Sequence, residues 1–78
     1  MFQSNENDFY ASLGRALGKA RENRGYTQAQ FARALRIAQS TYSGYEAAQR
    51  KIPVHVLKKA ADKLNVSVDS LLGQCEDA

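Results

Sequence analysis

Tyr26-Thr-Gln-Ala-Gln-Phe-Ala-Arg-Ala-Leu-Arg-Ile-Ala-Gln-Ser-Thr-Tyr-Ser-Gly-Tyr-Glu-Ala-Ala-Gln-Arg50 reads as two short helices joined by a tight turn. Thr27 is placed to cap the first of them, and Gln30, three residues on, completes a capping box. Tyr26 before the cap and Phe31 in the helix form a hydrophobic staple across the same start. Two independent devices therefore choose one boundary. Phe31, Ala34 and Leu35 give this helix its inner face. After Arg36-Ile37-Ala38, the next helix runs from about Gln39 to Ala48. Tyr42, Tyr45 and Ala38 face inward, while Gln39, Ser40, Ser43 and Gly44 face outward.

The flanks extend the same pattern. Asp8 can cap a first helix in which Leu13, Ala16, Leu17 and Ala20 recur at i, i+3, i+4 and i+7. That helix ends near Arg24, with Gly25 in the left-handed position after it. Pro53 suits the first turn of a fourth helix, where a missing N–H costs nothing. Val56 or Leu57, Ala60, Ala61 and Leu64 follow at helical spacing, and Asn65 ends the helix. Ser67 caps a last short helix carrying Val68, Leu71 and Leu72. With no strand-like alternation, no repeats and no low-complexity tract, the expectation is all-α: a compact five-helix domain over residues 8–73. A mobile arm (1–7) and a short tail (74–78) flank it.

Seventy-eight residues make one domain, with little room for an enclosed catalytic cavity. There is no apolar run of membrane-spanning length, and the polar, acidic N-terminus does not read as a signal peptide. The single cysteine, Cys75, excludes an internal disulfide and is read as a free thiol of a reduced, cytoplasmic setting. The lone histidine, His55, has no cysteine or carboxylate constellation near it in sequence. The chain is therefore read as neither an enzyme nor a metal or cofactor protein. Charge is uneven. All eleven basic residues lie between Arg15 and Lys63, opposed there only by Glu22, Glu46 and Asp62, a surplus of eight, whereas the other acids sit toward the ends. A basic middle between acidic ends offers a surface to a polyanion; the alternative is a solvated surface without a partner. A polar-faced second helix followed at once by Arg50 and Lys51 is the layout in which such a helix enters the major groove of DNA.

Four segments in joint register carry a resemblance. They are Leu13-(x3)-Leu17-(x3)-Arg21; Gly25-x-Thr27-Gln28-x-x-Phe31-Ala32; Ile37-x-Gln39-Ser40-Thr41-x-Ser43-x-Tyr45-Glu46; and Pro53-(x3)-Leu57-x-x-Ala60-Ala61-x-x-Leu64-x-Val66-Ser67-x-Asp69-x-Leu71-Leu72. Over residues 10–73 the chain resembles the lambda-repressor/Cro-like (xenobiotic response element-type) helix-turn-helix transcriptional regulators of bacteria and phages. The resemblance implies homodimers that read two half-sites of near-palindromic double-stranded DNA. It implies a phosphate contact from Gln28, base edges facing Gln39, Ser40, Ser43 and Gly44, and backbone contacts from Gln49, Arg50 and Lys51. It also implies an ion pair, Arg21–Glu46, that orients the third helix. Independently of the resemblance, Gln39 early in a recognition helix can pair with adenine N6 and N7.

Three positions depart from the family. Arg36 stands where glycine is usual, Ala38 where Ser or Thr caps the third helix, and Gly44 where a long polar side chain faces the bases. Gly44 and Ala38 leave room for a second function class, a protein-interaction module on the same fold, antitoxin-like, with weak or lost DNA binding. The basic middle together with Gln28, Gln39 and Arg50 favours the first class, a sequence-specific regulator and most often a repressor.

Overall fold

The computed structural model describes residues 6–73. It contains five α-helices: α1 Glu6–Asn23, α2 Gln28–Leu35, α3 Gln39–Glu46, α4 Val54–Leu64 and α5 Val68–Gly73. No strand occurs among the described residues. α1 packs across α3 and α5, α2 lies against α3 and α4, and α4 meets α5. The fold is thus the all-α five-helix domain that the apolar spacing requires.

The core gathers one stripe from each helix: Leu13 and Leu17, Phe31 and Leu35, Tyr42, Leu57 and Leu64, and Leu71. Phe31 and Tyr42 are fully buried and meet edge to face, ring centres 5.3 Å apart. This fixes α2 against α3 by shape as well as by apolar area. Ile52, in the connection to α4, is also buried.

The start of α2 follows from its residues. Gln30 N–H donates to Thr27 Oγ1 at 3.0 Å, and Thr27 N–H donates to Gln30 Oε1 at 2.9 Å. The Tyr26 and Phe31 rings pack 5.1 Å apart across that cap. Ser67 likewise caps α5 by accepting from Ser70 N–H at 2.9 Å. Other boundaries differ. α1 begins at Glu6, so Asp8 lies within its first turn instead of capping it, and Glu6 and Asn7 of the expected arm are helical. Residues 1–5 of that arm and the 74–78 tail with Cys75 lie outside the described residues. Pro53 occupies the cap of α4, one position before its first helical residue, and its carbonyl accepts from Val56 and Leu57. α3 stops at Glu46, two residues early. Ala38 is exposed, not inward, because its extended backbone (ψ 145°) turns it away as the cap of α3. Ala34 and Ala20 are only half-buried, whereas Ala32, which packs into the same core, is buried.

One device closes the first four helices. A left-handed residue follows each, and the next N–H reaches back five residues: Tyr26 to Arg21, Ile37 to Ala32, Gln49 to Gly44, and Val66 to Ala61. The left-handed residues are Gly25, Arg36, Ala48 and Asn65. Only the first is glycine, and asparagine tolerates the region. Arg36 at φ 62° and Ala48 at φ 61° carry a Cβ there, at about 1–2 kcal/mol each. Ala48→Gly removes that cost without changing charge. It should raise the midpoint of urea unfolding by the equivalent of about 1 kcal/mol, less the glycine's gain in unfolded-state freedom. A midpoint lowered by the full entropic cost of a glycine, about 0.4–1 kcal/mol, would show that Ala48 carries no strain.

Candidate nucleic-acid interface

The site is built on how α3 is held. Arg21, from the last turn of α1, is buried and reaches two other segments. Its Nε donates to Glu46 Oε2 at 2.7 Å, its Nη2 to Glu46 Oε1 at 3.3 Å, and its Nη1 to the Tyr26 carbonyl at 2.6 Å. Both side chains of the pair are nearly dry, with 9% and 12% of their area exposed. Glu46 accepts two further bonds, from Tyr42 Oη and from Gln28 Nε2 at 2.8 Å. One carboxylate therefore ties α1, α2 and α3 together.

Burial pushes the Glu46 carboxyl up, but the hydrogen bonds from Arg21, Tyr42 and Gln28 outweigh it and hold the group below its ordinary value. Burial, reinforced by the bond to Glu46, pushes the Tyr42 phenol well above its ordinary value, so it stays a neutral donor. No buried side-chain polar atom lacks a partner among the described residues. The arrangement holds and orients α3.

Two helix-interior glycines make this geometry possible. A Cβ on Gly14 would overlap the Glu46 carbonyl oxygen and lie 2.9 Å from that of Tyr45. A Cβ on Gly18 would lie 3.0 Å from Glu46 Oε1. The end of α3 crosses α1 over this glycine pair, so backbone packs on backbone. The apolar count along α1 does not reveal the pair. The available signal is Gly14 and Gly18 four residues apart on one face, with Arg21 one turn further on.

The expected readers fall into two groups. Gln39 and Ser40 are exposed on the first turn of α3. Ser43 is half-buried, and its hydroxyl donates to Gln28 Oε1 at 2.8 Å. With both ends of its amide engaged, the Gln28 side chain lies inside the network and not out toward a ligand. Gly44 lies on the same face as Ser40 but is buried, because the stem of Arg50 lies over it. Gln49, Arg50 and Lys51 are exposed just beyond α3. His55 is exposed on the first turn of α4. The missing cap of α3 is real, since Ala38 makes no side-chain bond to the helix start, a loss of roughly 1 kcal/mol. Because Arg21 and Glu46 cancel inside the fold, the basic surplus is carried by other side chains.

The sequence pattern of the helix-turn-helix family matches residues 17–71, from within α1 to α5. This chain belongs to the Cro-type helix-turn-helix family. Relatives of this family include the HTH-type transcriptional regulator ImmR of Bacillus subtilis (strain 168). ImmR is 42% identical over 65 residues, which are 83% of this chain and 51% of ImmR. From the same organism, the uncharacterized HTH-type transcriptional regulator YazB is 40% identical over 58 residues, 74% of this chain and 84% of YazB. The chain spans about half the length of ImmR and of YobD, a further 40% identical regulator, of which it covers 58%. Among solved structures, the clp gene regulator ClgR from Corynebacterium glutamicum superposes with a TM-score of 0.82 at 25% identity. That match covers 86% of this chain and 71% of ClgR. α2 and α3, joined by residues 36–38, both lie within the matched residues. Among the described residues no helix is long and apolar enough to cross a membrane, and no three His, Cys, Asp or Glu side chains are grouped to hold a metal ion.

Proposed function

We propose that this protein is a sequence-specific DNA-binding transcriptional regulator, a repressor, that reads a near-palindromic operator as a homodimer with α3 in the major groove. The observation that carries this reading is the contrast between the two faces of α3. Its inner face is locked by the buried Arg21–Glu46–Tyr42 network, while Gln39 and Ser40 stand exposed on its first turn. A reading helix has to be rigidly aimed while its reading side chains stay uncommitted. Gln39 takes an adenine edge, Ser40 either a base or a phosphate, and Gln49, Arg50 and Lys51 the backbone beside them. With its side chain committed, Gln28 contributes to a phosphate through its own backbone N–H at the start of α2. Concentration in the cell and overlap with a promoter would supply regulation.

Selection of bound sequences from a random DNA pool tests the reading, and an enriched palindrome is the expected result. On the enriched site Gln39→Ala should cost roughly 1–3 kcal/mol, with little change on random DNA. Equal losses on both would remove Gln39 as a reader. Lys51→Ala should weaken both DNAs alike and flatten the dependence of affinity on salt. Binding that ignores salt would remove the electrostatic account.

The dimer is proposed through α5. Val68 and Leu72 remain half-buried on a helix of six residues whose Leu71 is already in the core. A symmetric partner presenting the same face would cover them. Sedimentation at rising concentration should show a dimer that Leu72→Glu dissociates. A monomer throughout, bound singly to its DNA site, would exclude it.

One observation favours the second reading, a protein-interaction module. Ser43 and Gln28 bond to each other and Gly44 is covered, so fewer side chains are presented than the motif allows. Failure to enrich any DNA sequence, together with early elution from heparin, would decide for it.

A further inference from the structure

Gly44 and Arg50 form a unit that neither residue suggests alone. A Cβ on Gly44 would lie 3.0 Å from Arg50 Cδ, 3.2 Å from Cγ and 3.4 Å from Nε. The arginine stem therefore occupies the space that a side chain at position 44 would fill. The backbone makes this possible. Gly44 carbonyl accepts from both Gln49 N–H at 2.9 Å and Arg50 N–H at 3.2 Å, which folds the chain after α3 back over its own last turn. Ala48, held left-handed at φ 61°, produces that reversal.

Position 44 lies one turn beyond Ser40, so the two share a face of α3. A guanidinium that starts above Gly44 thus extends the row begun by Gln39 and Ser40, not the loop beyond it. Arg50 is exposed, and no described carboxylate pairs with it. A phosphate contact needs only a charge on a flexible stem. Here the stem is laid against the helix, which gives the planar fork a defined starting direction.

We infer that Arg50 is a specificity-determining residue that reads a guanine in the major groove from the place Gly44 leaves open, in addition to any phosphate it neutralises. Two of its N–H donors match the O6 and N7 acceptors of guanine. Gly44 is the positioning residue of the pair: it contributes an absent side chain. The inference rests on the proposed DNA-binding function and adds one base to its code.

The test compares the enriched site with copies in which single guanines are replaced by adenine, for three proteins: wild type, Arg50→Ala and Gly44→Leu. The readout is the ratio of affinities for the two DNAs within one protein, so a general loss of affinity cancels. Wild type should prefer guanine at one pair of each half-site by roughly 5- to 150-fold, the range of a bidentate contact. Arg50→Ala should bring that ratio near one while preferences at other pairs persist. Gly44→Leu keeps the arginine but fills its seat, and should collapse the same ratio. Circular dichroism confirms that each variant is folded. If every ratio survives in both variants while affinity falls on all DNAs, Arg50 is a phosphate contact only and the inference is overturned. If wild type enriches no sequence at all, the underlying DNA-reading function is what has failed, and the inference falls with it.

Discussion

Removing Arg21 should destabilise this domain by about 3–5 kcal/mol, a large share of the 5–15 kcal/mol that typically holds a domain folded. Arg21 and Glu46 are both nearly dry, so taking one away leaves the other as an unbalanced charge out of water. Glu46→Ala should cost at least as much. It strands the Arg21 guanidinium and also takes the acceptor from the hydroxyl of the fully buried Tyr42. The double variant should lose clearly less than the sum of the two, since no orphan charge remains. Urea unfolding of the three variants measures this. Additive losses would mean that the pair is not coupled and that Tyr42 and Phe31 alone orient α3. The second pairing of Arg21, with Glu22 at 3.6 Å, should contribute almost nothing, because Glu22 is largely solvated.

The same network sets an acid limit. The Glu46 carboxyl is lowered in the fold, so the unfolded chain takes up a proton first as the pH drops. The contribution is complete above the ordinary glutamate value of about 4.3 and declines as the pH falls through it toward the lowered folded value. Stability curves between pH 7 and pH 3 should therefore drop less steeply in Glu46→Gln than in wild type. Parallel curves would show that other carboxylates govern the acid limb.

Gly14→Ala should be destabilising, against the ordinary rule for helices. In an exposed helix interior the change stabilises by about 1 kcal/mol. Here the added methyl meets the Glu46 and Tyr45 carbonyl oxygens, which are backbone at a helix end and cannot swing aside. Overpacking of this kind costs typically about 1–3 kcal/mol, and the displaced group is the residue that anchors the ion pair. Gly18→Ala meets only the carboxylate tip at 3.0 Å and should cost less. Thermal unfolding orders the two. If Gly14→Ala melts above wild type, helix propensity outweighs the crossing and the close approach of α1 to α3 is not tight. Because the crossing aims α3, any loss of stability at Gly14 should be accompanied by weaker binding to the selected DNA.

What the sequence determined lies within short stretches. The Thr27–Gln30 box, the Tyr26–Phe31 staple, the Ser67 cap, the left-handed Gly25 and the helix end at Asn65 each involve residues no more than five apart. The energies are local, so the residue types at fixed spacing suffice to read them. The apolar stripes of α1 to α5 are legible for the same reason, because a 3.6-residue period shows without any partner. The Arg21–Glu46 contact is different: 25 residues separate its ends. It entered the reading through likeness to a family and not from spacing.

Tertiary structure alone decided the rest. An apolar count along α1 passes over Gly14 and Gly18 as seats for Glu46, because an absent side chain adds nothing to the apolar period and its use depends on which segment arrives above it. Gln28 and Ser43 are polar and well placed for a ligand by helix geometry, yet each found a partner within the fold once α2 docked on α3. Ala48 runs against its own local preference, and is held left-handed by the bonds that close α3 onto Gly44. For the glycine pair of α1, and for Gln28 and Ser43, the deciding free energy comes from a contact between distant segments, and that exists only when the whole core is formed.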